Sequence, residues 1–380
     1  MSDHGGDRYG GCHYYGGQHG AEHHGGDYHG HGRVDGLDGP EGFDGRGDRD
    51  GGRGALVVHS AGLHTSVQDA GRDGYYAIGM PPSGALDQFS YRAANLLVGN
   101  PETAAVLEAT YVGPSLEFTD ERLVAVTGAD VQASRNGEPV PSWQTVAVRA
   151  GDVLSFGMIS AGARLYIAVT GGVDVPPYLG SRSTCTLVGL GGHEGRKLAD
   201  GDRLPLGTEV VAGGPPPEGT AVAEELRPEF PAVMPLRTVV GLCSYRLSEA
   251  GMRAWLGTVW QVTKDADRVG YRLRGGALEF AERAQPFGAG GEPANVVDLG
   301  YPVGSVHVPG GDEPVVLLND AVTGGGYATV GTLVSADRDR IGQTKTGDRV
   351  SFEPVDLDQA LAARRDRRVR LYRVRDAVLG

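Results

Sequence analysis

The chain has 380 residues, 63 of them glycine, and a formal net charge of −13, a length that suggests about two domains at roughly 100–200 residues each. An acidic chain without basic blocks is a poor binder of nucleic acid, no apolar run is long enough to span a membrane, and the polar N-terminus lacks the apolar core of a secretory leader. Cys12, Cys185 and Cys243 are odd in number and share no metal-type spacing, so a reducing, cytoplasmic setting is expected, without a disulfide framework or a metal site.

Residues 1–54 hold 19 of the glycines and 7 of the 11 histidines, with almost no aliphatic residue beyond Val34 and Leu37. Such a segment cannot bury enough apolar surface to offset ordering, which predicts a disordered tail. Its histidines have no regular spacing and read as solvated rather than metal-binding. The folded part starts at Ala55. Asp87 caps a predicted helix running to about residue 97, with Gly99 as its stop. Asn100 and Pro101 predict a second helix through residue 109, since Asn caps and Pro suits the first helical position. Short apolar runs at 122–128, 145–149, 153–156 and 164–169 read as strands, with Asn136-Gly137 as a hairpin turn. Gly213-Gly-Pro-Pro-Pro-Glu-Gly219 is the linker candidate, dividing the chain into 55–212 and 230–380. Ser248 caps a helix over 249–256, residues 314–318 form a strand, and Asp356 caps a helix over 357–364. Strands do not alternate with helices, so the class is mainly β, with antiparallel sheets or barrels and a few helices.

No phosphate loop, His-Glu-x-x-His helix or Gly-x-Ser-x-Gly elbow is present. Of the histidines after the tail, His59 and His307 sit in apolar strand-like runs and read as structural, with their hydrogen bonds satisfied. Four polar turns stand out instead. Val67-Gln-Asp-Ala-Gly-Arg72 sets Asp69 three residues from Arg72, either as a surface ion pair or as an Arg fork for an anion. Pro82-Ser-Gly-Ala-Leu-Asp87 leads into the first helix, where Gly84 and free N–H groups offer an anion site unless Asp87 caps them. Leu179-Gly-Ser-Arg-Ser-Thr184 places Ser183 and Thr184 around Arg182. Asn319-Asp-Ala-Val-Thr-Gly-Gly-Gly-Tyr327 follows a strand. There Asp320 is a candidate base or acceptor, Thr323 and Gly325 permit close approach to a ligand, and Tyr327 offers a ring or hydroxyl.

Taken in order, Val67–Arg72, Ser83–Asp87, Ala94-Asn-Leu-Leu-Val-Gly-Asn-Pro101, Leu107-Glu108, Gly113-Pro114, Val126-Thr-Gly-Ala-Asp130, Gly171-Gly-Val173, Leu179–Thr184, Asp267-Arg-Val-Gly-Tyr-Arg-Leu273 and Gly342-Gln343 resemble the KipA family. That family also goes by the names of the 5-oxoprolinase C component, allophanate hydrolase subunit 2 and the biotin-dependent carboxyltransferase family. The resemblance covers about residues 55–355. It implies two cyclophilin-like β-barrel domains and a KipI-like partner, the B component of 5-oxoprolinase. With a third oxoprolinase subunit, such a pair uses ATP to open 5-oxo-L-proline to glutamate. The urea-carboxylase version instead moves CO₂ from carboxybiotin, here carried by another chain because no biotinyl-lysine motif is present. A third version is a regulator that antagonises a kinase inhibitor. The chain departs from the common pattern at Asp320–Ala328, and Pro293-Ala-Asn-Val-Val-Asp298 with Gly300-Tyr-Pro-Val-Gly304 is closer to the urea-carboxylase version. Each option handles a small amide and must stabilise an oxyanion. For that chemistry Arg72, Arg182 and Arg268 are the charged candidates and Asp320 the candidate acceptor or base. Asp69, Gly84, Asp87, Ser183, Thr184, Thr323, Gly325 and Tyr327 complete the candidate substrate-binding set.

Overall fold

Residues 164–169 show how the first half is built. In the strand Ala161–Val169, Leu165, Ile167 and Val169 face a core between two sheets, while Tyr166 and Ala168 face a helix on the other side. A period of two with both faces covered gives a nearly continuous apolar run. The computed structural model describes residues 54–285 and 287–380, so the expectation for the Gly/His-rich tail, Cys12 included, falls outside the described residues.

Ala161–Val169 is the centre of a five-stranded sheet, antiparallel to Val106–Thr110 and Arg122–Asp130, with His64–Gln68 and Val146–Val148 at the edges. A seven-stranded sheet packs against it. Leu56, Phe118, Leu154 and Leu204 of the seven-stranded sheet meet Val67, Leu107, Val126 and Leu165 of the other. The second half is a closed barrel of Val233–Val240, Thr329–Leu333, Ser305–His307, Val315–Leu317, Gly270–Arg274, Trp260–Ala266 and Arg349–Pro354. A two-stranded ribbon, Asn295–Gly300 with Gly324–Tyr327, stands beside it. The mainly-β expectation holds.

Four α-helices complete the described chain: α1 (Gln88–Leu97), α2 (Glu249–Gly257), α3 (Arg338–Gly342) and α4 (Leu357–Leu379). Asp87 caps α1 by accepting from Ser90 N, and Ser248 caps α2 by accepting from Gly251 N. The helix expected over 101–109 does not form. Val106–Thr110 is taken up between two strands, and Asn100 donates from its side chain to Val169 O and Asn95 Oδ1 instead of starting a helix. Tertiary pairing overrides the local start signal. Asp356 caps α4 as expected, through a capping box with Gln359, but the helix runs to Leu379 because Val374 and Val378 bury against the α1 cluster. The Asn136-Gly137 turn joins Ala133–Arg135 to Glu138–Val140 with positive φ at both turn residues, as a type I′ hairpin requires. No helix among the described residues is long and apolar enough to cross a membrane.

Candidate functional site

Asp69 is the organiser of the first group. Its Oδ1 accepts from Gly71 N at 2.8 Å, Ser181 Oγ at 2.6 Å and Ser183 Oγ at 2.5 Å, and its Oδ2 accepts from Arg182 N at 2.6 Å. This draws the 181–184 loop onto the 69–72 loop, where Thr184 donates from N and Oγ1 to Val67 O. Asp69 therefore does not pair with Arg72. Arg72 is 2% exposed and donates from Nη2 to Ser183 O, while its Nε and Nη1 are buried without a partner. Among the described residues no carboxylate forms an ion pair with it. A buried cation without a counter-ion is costly unless something polar meets it. On the adjoining loop, where Arg72 N donates to Pro82 O, Ser83 holds its Oγ buried and unpartnered. The side chain of Arg182 turns away to Asp174 Oδ1 at 2.9 Å and Val175 O at 2.8 Å.

A second group is a buried ion network between the two halves. Arg268 donates from Nε to Asp320 Oδ2 at 2.8 Å, from Nη1 to Glu108 Oε1 at 2.6 Å and from Nη2 to Gly84 O at 2.7 Å. Burial would raise Glu108, but Arg268 and Arg164, with hydrogen bonds from Leu86 N and Tyr166, hold its carboxyl below the ordinary range. Asp87, pushed up by burial, accepts from Ser90 Oγ and from Gln343 Nε2 at 2.9 Å. Gln343 also accepts from Ala163 N and Arg164 N, stitching the second half to the first. Asp320 and Arg268 are thus brought together, with each other as principal partners.

Of the remaining residues, Thr323 lines a cavity of about 640 Å³ together with Tyr76, Tyr301 and Arg338, whereas Gly325 and Tyr327 are not part of its lining. Gly324–Tyr327 is a strand rather than a turn, and none of its glycines has a positive φ. Gly325 is small for a different reason: a Cβ there would stand 3.1 Å from the Tyr301 ring. Tyr301 Oη accepts from Tyr327 N at 2.6 Å, and the Tyr327 side chain is exposed. Of the two histidines read as satisfied, one is and one is not. His59 is exposed and bonds Glu117 at 2.7 Å. His307 is buried edge-on to Tyr301, ring centroids 4.0 Å apart, with Nε2 unpartnered. The sequence reading missed Glu108 and Gln343 as network members, although both fall in motifs that carried the resemblance. It missed Arg338 altogether, because a charged residue in a short helix reads as solvated surface.

Residues 78–354 match a family model described as "Carboxyltransferase domain, subdomain A and B". The chain is 36% identical over 311 residues to the C component of 5-oxoprolinase from Escherichia coli (strain K12), covering 82% of this chain and 94% of that one. It is also 36% identical over 317 residues to the urea amidolyase of Lachancea kluyveri, covering 80% of this chain but only 17% of the longer protein. Among solved structures it is similar to the Kluyveromyces lactis urea carboxylase at 33% identity and a TM-score of 0.79, over 86% of this chain and 30% of that one.

Proposed function

The chain belongs to the carboxyltransferase domain family, subdomains A and B, and on that premise we propose that it is the C component of a heteromeric, ATP-dependent cytoplasmic enzyme of the 5-oxoprolinase type. It acts with a KipI-like subunit, and with a third oxoprolinase subunit, on 5-oxo-L-proline. The observation that carries this reading is the alignment that spans 94% of the Escherichia coli protein. The geometry is compatible with amide chemistry. The donors without partners, Arg72 Nε and Nη1, are almost completely buried, where a hydrogen bond to a developing oxyanion is worth far more than in water. The same donors fit a carboxylate. Asp69 positions Arg72 indirectly, by fixing the Ser183 carbonyl that anchors Nη2. The buried Arg268–Asp320–Glu108 network holds the Gly84 carbonyl and keeps the two halves in register. ATP, when bound, supplies the activating phosphoryl group. The described residues of this chain offer no phosphate loop for it, which supports assigning ATP to a partner.

A second reading is the carboxyltransferase component of a biotin-dependent urea carboxylase, favoured by the TM-score of 0.79 to the Kluyveromyces lactis enzyme. Carboxybiotin, when bound on its carrier chain, supplies the CO₂. Reconstitution with a KipI-like subunit and a third oxoprolinase subunit, and in parallel with a biotin-carrying carboxylase chain, separates the two. ATP hydrolysis coupled to glutamate release from 5-oxoproline supports the first reading. Bicarbonate- and biotin-dependent consumption of urea, with no turnover of 5-oxoproline, replaces it by the second.

A further inference from the structure

α4 buries Ala363, Val374 and Val378, and beside that apolar stripe it carries a basic flank. Arg364, Arg367, Arg368, Leu371 and Tyr372 follow helical spacing, and all line one cavity of about 590 Å³. Its other walls include Arg338, Arg92 and the Ser83 loop. The volume is that of a small-molecule site. The family match ends at residue 354, before α4 begins.

The charges in this cavity do not balance. Glu102 is held by Arg92 at 3.2 Å and by Arg375. Asp339 accepts from Arg367 at 2.8 Å and from Gln88 N at 2.9 Å. Arg338, Arg364 and Arg368 make no ion pair or hydrogen bond among the described residues, and Asp73 is the one lining acid without an ion pair. Arg364 and Arg368 are one helical turn apart, a repulsive spacing for like charges. A separate observation comes from the opposite wall. Ser83 is 1% exposed, and its Oγ has no hydrogen-bond partner. Three guanidinium forks and a desolvated hydroxyl are the donor set that recognises phosphate oxygens.

We propose that this cavity binds a small polyanion, a phosphate ester or polyphosphate, between the Arg338–Arg364–Arg368 guanidiniums and Ser83. The site adjoins the Arg72 loop through Pro82 and Ser83, but it does not depend on which amide the enzyme processes. The test is calorimetric titration of the full chain with inorganic pyrophosphate and with ATP, alongside thermal shift, at low and raised salt. The wild type is expected to bind pyrophosphate with a marked loss of affinity as salt rises, and its melting temperature is expected to increase with ligand. The double variant Arg364→Gln/Arg368→Gln changes two exposed side chains. It should keep the ligand-free melting temperature while binding about tenfold weaker or worse. Ser83→Ala should weaken binding without altering its salt dependence. ATP binding tighter than pyrophosphate would add the Tyr372 ring as a contact for the base, and equal affinities would assign recognition to the phosphates alone. Absence of heat and thermal shift with both ligands, or wild-type affinity in the double variant, overturns the proposal.

Discussion

Arg268 Nε donates to Asp320 Oδ2 at 2.8 Å, and the pair is almost completely buried, with side chains 6% and 1% exposed. Glu108 completes the pairing of the same guanidinium from the first half of the chain. Asp320→Asn keeps the shape but removes one of two charges that balance Arg268. Breaking a buried pair from one side costs about 3 kcal/mol. An unfolding free energy lowered by that amount in urea denaturation is expected, with turnover per folded complex retained. If stability is unchanged and turnover falls about 100-fold, Asp320 acts on the reacting atoms instead.

Gly84 has φ +85°, and a Cβ on it would lie 2.8 Å from Gly71 N and Cα. Both obstacles are backbone, so neither can swing away. Gly84→Ala is expected to cost at least about 3 kcal/mol, the left-handed backbone contributing about 1–2 of it. Gly180 is the control: its φ is +78°, but nothing lies within 4 Å of its Cβ position. Gly180→Ala should cost only the backbone share. Equal denaturation midpoints for the two variants would show that the Gly71–Gly84 approach relaxes easily.

These cases show what the sequence exposes and what it hides. Strand residues 153–156 and the Asn136-Gly137 hairpin are local patterns, and they form where expected. Asp87 signals a helix start and caps one. Asn100 gives the same signal and starts none, because Val106–Thr110 has partners on both edges that lie far away in the chain. At the site, the Gly-rich loops were visible as motifs, but their pairings were not. Asp69 and Arg72 read as a pair, yet Asp69 is saturated by Ser181, Ser183 and two backbone N–H groups. Glu108 and Arg268 are 160 residues apart, and no local pattern links them.

His307 gives a pH prediction. Burial lowers its pKa from 6.5 to about 4, so the folded state prefers the neutral ring. Between pH 6.5 and about 4 the unfolded chain binds more protons, and stability falls as pH falls through that window. The slope from this group is about 1.4 kcal/mol per pH unit. His307→Gln should flatten the decline, so that the stability of the variant relative to the wild type rises between pH 7 and pH 4.5 in chemical denaturation. Parallel pH profiles would mean that the ring is protonated at no cost in the fold.

Arg72 is the sharpest test of the candidate site, because its structural and functional roles predict opposite results. Its Nη2 bond to Ser183 O helps to hold the 181–184 loop, and losing a charged hydrogen bond costs about 1.5–3 kcal/mol. Against that, Nε and Nη1 are buried without partners, and no carboxylate pairs with the charge among the described residues. Replacing an unbalanced buried charge by an apolar side chain of similar length relieves several kcal/mol of desolvation. The two effects offset, so Arg72→Met should keep a melting temperature close to that of the wild type. On the proposed role the same variant loses the donors that would meet an oxyanion or carboxylate, and turnover in the reconstituted complex should fall by about 10²–10³-fold. Arg72→Lys restores the charge but not the planar fork, and it should recover only part of the rate. A large drop in melting temperature, with turnover that simply follows the folded fraction, would make Arg72 a loop anchor and move the search for the reacting group to the Tyr76–Tyr301–Arg338 cavity.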